Sequence, residues 1–195
     1  LLLALRRLIS LKTLSSSKEK IFDASFWIFL SAIFHFWSIL YIILVFISII
    51  FHSGKEYKNW ILPFVSFLCV WILYIATRLF LFGNYSINKA VFQVSFNFFD
   101  FKDVYQNMAL SVFVSISVLF FASQTIDYQN KPLNMQSSYK QVYFAFLLAV
   151  GIYVFSANKS NDLLLYTFAP LAILGANMFE KMENSIYKEV SLYLL

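Results

Sequence analysis

Long apolar runs alternate with short polar breaks along this chain, and within the runs the apolar residues are continuous rather than two-periodic. The first full run, Ile21–Phe51, is interrupted by Asp23 near its start and His35 close to its middle. As one helix it would be roughly 46 Å long, against a hydrocarbon core near 30 Å. A single strongly tilted rod is one solution. The other is a pair of short helices broken around His35–Ser38, a hairpin that enters and leaves a bilayer by the same face. Later runs at Ile61–Phe82, Met108–Ile126, Val142–Ala157 and Leu163–Phe179 each predict a membrane-crossing helix. Pro63 falls in the first turn of its run, and Pro170 lies inside its own, where it should kink the helix. Over residues 87–105, Val91, Val94, Phe98, Phe101 and Tyr105 recur at helical spacing with Lys102 and Asp103 between them. That pattern predicts an amphipathic helix lying in the membrane interface.

Composition agrees with lipid as the solvent. Hydrophobic residues make up 61% of the 195 residues and charged residues 13%, against roughly 45–50% and 25% in soluble domains. A chain of this length cannot hide so much apolar surface from water. A β-barrel would show segments of about ten residues with alternating polarity, whereas these runs are continuous; Phe92–Phe98 alternates like a strand, but an unpaired strand edge is costly in lipid and the helix is favoured there. The predicted fold is therefore all-α: a polytopic transmembrane helical bundle with a broken, re-entrant hairpin and an interfacial helix. It reads as one integral-membrane domain over residues 1–195, cut at both ends, since LLLAL looks like the last turn of a helix and VSLYLL like the first turns of another.

The net charge of +5 does not point to nucleic acid, because the basic residues are scattered over short polar segments. Their distribution bears on topology instead. Arg6, Arg7, Lys12, Lys18 and Lys20 crowd residues 6–20, which reads as a cytoplasmic loop. With Arg78 set aside as lying within a run, a single crossing by Ile21–Phe51 leaves eight basic residues on the cytoplasmic side and six on the far side. A hairpin moves Lys55, Lys58, Lys131, Lys140, Lys181 and Lys188 to the cytoplasmic side, leaving Lys89, Lys102 and Lys159 opposite eleven. The positive-inside rule selects the hairpin.

Candidate chemistry is sparse. Asp23 reads as the N-cap of a helix beginning at Ala24, with a substrate or proton role as the alternative. His35, near the hairpin apex, is an ionisable residue at membrane depth and so a functional candidate. Its plainer reading is a neutral imidazole bonded to a backbone carbonyl. Arg78, one turn from the end of its run, can snorkel to the headgroups, pair with Asp100 or Asp103 across the following loop, or contact a lipid phosphate. These residues, Asp23, His35 and Arg78, are the candidate catalytic set. His35 and His52 have no cysteine or carboxylate at ligand spacing, so neither a metal nor a cofactor is expected. Cys69 stands alone and reads as a small packing residue.

The string FDASFWIFLSAIFHFWSILYIILVFISII at Phe22–Ile50, and the later YTFAPLAILGANMFEKMENSIYKE, resemble an uncharacterised multi-pass inner-membrane family of Bacteroidetes, known only as a domain of unknown function. More distantly, SAIFHFWSIL is similar to the short paired helices of polytopic glycan polymerases and lipid-linked-sugar glycosyltransferases. That likeness implies a bacterial inner-membrane location and a polyprenyl-phosphate-linked substrate in envelope glycan assembly. A membrane transporter and a non-enzymatic subunit of a membrane complex are the competing classes, with the lipid bilayer as the common partner.

Overall fold

A computed structural model of the chain describes residues 1–13, 16–52, 56–83, 104–127, 133–156 and 161–181. Among these, α-helices follow one another as α1 (Leu2–Ile9), α2 (Ser17–Phe34), α3 (Ile42–His52), α4 (Lys58–Phe82), α5 (Val104–Asp127), α6 (Leu133–Phe155) and α7 (Leu165–Lys181). Short 3-10 segments occupy Ser10–Thr13, Phe36–Tyr41 and Asn161–Leu164, and no strand forms among the described residues.

The Ile21–Phe51 run supplies most of α2 and all but the last residue of α3. It breaks at His35, whose backbone is extended at φ −140° and ψ 109°. Ser31 Oγ and Ser38 Oγ meet at 3.0 Å across the break. At the opposite end Lys18 Nζ, in the first turn of α2, lies 3.4 Å from Glu56 Oε2, just beyond α3. The run therefore doubles back, and its two ends sit together. Leaving the break, α3 continues from a 3-10 segment, whose longer rise per residue extends that arm with fewer residues.

Helix α4 runs parallel to α2, with Phe29 edge-on to Phe67 at 5.2 Å. Helix α6 runs antiparallel to α3, so that His52 meets Ser137 while Tyr41 reaches Ala145. Helix α7 returns beside α6 and lies parallel to α5, with Phe113 on Phe168 and Gln124 donating to the Leu174 carbonyl at 3.1 Å. The core sits between α1, α2, α3 and α6. Leu5, Leu8, Leu11, Ile21, Ile28, Leu44, Val45, Ile49 and Ile152 fill it, and Ala24, Ala145 and Ala149 let the backbones approach.

By contrast, α4 and α5 are little covered. Helices α4, α5 and α6 are long and apolar enough to cross a membrane, yet only 11% of the apolar window of α4, and of α5, is buried, against 33% in α6. Trp71, Ile72, Leu73, Val112, Val118 and Leu119 all face outward. Such surface is costly in water at about 25 cal/mol per Å2, and is neutral against lipid tails.

Several expectations need correction. Asp23 caps no helix: α2 starts at Ser17, six residues before Asp23, because Ser17–Lys20 joins it. Lysine and glutamate are good helix formers, and Glu19 in the first turn favours the positive helix end. Most of residues 6–20 is consequently helical or 3-10 rather than loop. Helix α6 begins nine residues before Val142, absorbing the polar stretch Leu133–Gln141. Helix α4 begins at Lys58, which puts Pro63 in the second turn instead of the first. Of the interfacial helix expected over 87–105, Val104 and Tyr105 belong to α5, and the remainder lies outside the described residues.

Candidate functional site

The break at His35 gathers polar side chains from three elements into an apolar setting. Helix α2 supplies Ser31, the break itself His35, the 3-10 segment Ser38 and Tyr41, and the start of α7 Tyr166. Ser31 Oγ donates to Ser38 Oγ at 3.0 Å. Ser38 Oγ lies 2.9 Å from the Tyr166 hydroxyl, which lies 2.6 Å from His35 Nδ1. A single outward donor direction fits all three contacts. With Ser38 accepting from Ser31, its proton can go to the Tyr166 oxygen and the Tyr166 proton to Nδ1. In that arrangement a neutral His35 carries its proton on Nε2, and Nε2 has no partner among the described residues. Ser38 is fully buried, Tyr166 half-buried and His35 exposed, so the relay runs from the interior to the surface.

Pro170 explains why Tyr166 is held so firmly. A helical proline has no N–H for the carbonyl four residues back, which here is the carbonyl of Tyr166. The Tyr41 hydroxyl donates to that oxygen at 2.9 Å, replacing the missing bond. Tyr166 is thereby anchored at both its backbone and its phenol, and its ring stacks on Tyr41 with centroids 6.1 Å apart.

The candidate residues do not converge. His35 bonds a side chain, Tyr166, rather than the backbone carbonyl expected of it. Asp23 lies twelve residues earlier, about 18 Å along the helix axis, where its Oδ2 pairs with Arg7 Nη2 at 3.2 Å. Arg78 stands four residues before the end of α4. From the Phe29–Phe67 register it lies at the same end of the bundle as the break, about 7 Å further along the axis. Asp23 thus belongs to the opposite end from His35 and Arg78.

A second polar cluster escaped sequence reasoning. His52, the last residue of α3, places Nε2 3.1 Å from Ser137 Oγ and Nδ1 3.1 Å from Gln141 Nε2 and 3.3 Å from the Ser48 carbonyl. Burial pushes the imidazole pKa down, and the Ser48 contact opposes that shift. Gln141 is completely buried. Ser137 and Gln141 share a helix face only once α6 is seen to start at Leu133. Pro132, a common residue at helix starts, was the available signal. No group of three or more His, Cys, Asp or Glu side chains able to hold a metal occurs among the described residues.

A family model described as "Family of unknown function (DUF6427)" matches residues 2–195. No curated protein and no solved structure matches the chain.

Proposed function

We propose, from the premise that the chain belongs to this family of unknown function, that it is a multi-pass protein of the bacterial inner membrane whose hairpin apex meets the phosphate of a polyprenyl-linked substrate in envelope glycan assembly. The observation carrying this reading is the exposed His35 at a helix break, with Nδ1 against the Tyr166 hydroxyl and Nε2 without a partner among the described residues. An imidazole N–H on an apolar hairpin is a fitting donor for a phosphate oxygen. Arg78, at the same end of the bundle, would add a bidentate guanidinium for the same group. The cytoplasmic face is the end carrying Arg7, Lys18 and Lys58, and the apex faces the other way.

A non-enzymatic role has its own support. Ser31, Ser38, Tyr41 and Tyr166 all bond within the cluster, as a structural pin for the break would require. One experiment separates the two readings. Cells carrying His35→Ala or Arg78→Lys are compared with wild type for protein abundance and for polyprenyl-linked saccharides by mass spectrometry of lipid extracts. Accumulated precursor at normal abundance supports the substrate reading. An unchanged lipid profile at normal abundance overturns it and leaves the structural one.

A further inference from the structure

Helices α1 and α7 do not close against each other along their whole length. Between them lies an open groove of about 580 Å3, walled by Leu2, Leu5 and Ile9 of α1 and by Phe168, Ala172 and Ala176 of α7. The alanines leave room where larger residues would have filled the space. One charged side chain, Arg6, enters this otherwise apolar wall. Its neighbour Arg7 is neutralised by Asp23, whereas Arg6 is exposed and has no partner among the described residues.

A guanidinium beside an alkyl-sized apolar channel is complementary to an amphiphile with a long chain and an anionic head. Apolar side chains, Leu2 and Phe168 among them, line the groove, and Arg6 lies in the last turn of α1, next to the bundle end that carries Lys18 and Lys20. A phospholipid of the leaflet at that end would thus place its phosphate by Arg6 and one acyl chain along α7. We infer that the α1–α7 groove is a binding site for one acyl chain of an anionic phospholipid, with Arg6 as the headgroup contact. The site rests on the membrane reading above but not on the hairpin apex or on any reaction there.

The test uses the full chain purified in dodecyl maltoside. Native mass spectrometry counts retained lipid after addition of dioleoyl-phosphatidylglycerol or dioleoyl-phosphatidylcholine. Wild type is expected to retain the anionic lipid roughly five-fold better, the effect of one basic residue at a membrane surface. Arg6→Ala should abolish that preference, Arg6→Lys should keep most of it, and Ala172→Phe should fill the groove and lose both lipids. If Ala172→Phe does not elute as the wild type does, Ala176→Leu takes its place. Equal retention of the two lipids by wild type would overturn the inference. So would an undiminished preference in Arg6→Ala, or displacement of the lipid by glycerol 3-phosphate, which lacks the chain. Lipid counting on purified protein is independent of the saccharide profile, so the two proposals fail separately.

Discussion

At the scale of single residues, Pro170 and Tyr41 form a couple that no local pattern reveals. They lie 129 positions apart in the sequence, yet the proline creates the carbonyl vacancy that the tyrosine fills. Tyr41 is 4% exposed, so the Tyr166 oxygen it serves has little access to other donors. Removing the hydroxyl by Tyr41→Phe should then cost about 1–3 kcal/mol, the penalty for a buried polar group left unsatisfied. In Pro170→Ala the restored N–H can bond the Tyr166 carbonyl, so the hydroxyl becomes partly redundant. The double variant Tyr41→Phe/Pro170→Ala is therefore expected to lose less than the sum of the two single changes, with a coupling of about 1 kcal/mol. Unfolding in mixed dodecyl maltoside and dodecyl sulfate micelles, followed by circular dichroism, supplies the four stabilities of the cycle. Strict additivity would mean that Tyr41 is not the donor that replaces the missing bond.

Between elements, contact depends on what stands opposite each small residue. Gly175 of α7 faces α5, and a Cβ there would come within 2.8 Å of the Phe120 ring. Gly151 of α6 has nothing within 4 Å of the same position. Gly151→Ala should stabilise by about 0.5–1 kcal/mol through helix propensity alone. Gly175→Ala gains the same propensity but must displace an aromatic ring, at about 1–3 kcal/mol, so its net effect should be a loss. Thermal midpoints of the two variants in one detergent should move in opposite directions; parallel shifts would show that the α5–α7 contact is loose. Neither outcome was readable from the sequence, where both glycines sit in similar apolar runs. What was legible is the break at His35, because a run too long for one crossing must end somewhere and residues 35–38 offered the polar atoms. Tyr166 was not legible, since its partner His35 is 131 residues away. The start of α6 was hidden for a different reason. Polar residues at a helix end look like a loop until Ser137 and Gln141 are seen to face His52.

For the molecule as a whole, the doubled-back run decides the sidedness of everything after it. The Lys18–Glu56 contact puts the start of α2 and the approach to α4 at one end of the bundle, with Tyr57 73% exposed beside it. Helix α4 then carries the chain across to the opposite end, so α5 begins there, where Tyr105 is 85% exposed. Among the described residues Arg6, Arg7, Lys18, Lys20 and Lys58 lie toward the first end and Arg78 toward the other, so the positive-inside rule predicts the first end on the cytoplasmic side. Single cysteines at Tyr57 and Tyr105, in a Cys69→Ala background, turn this geometry into a measurement. In intact spheroplasts an impermeant maleimide should label Tyr105→Cys and leave Tyr57→Cys untouched until the membrane is permeabilised. A run that crossed once would invert both results, because it would carry Tyr57 outside and return Tyr105 to the cytoplasm. The same pair of labels also fixes the side of the His35 apex. That apex lies at the Tyr105 end by the parallel packing of α2 and α4, so a phosphate reaching it would have to come from the outer leaflet.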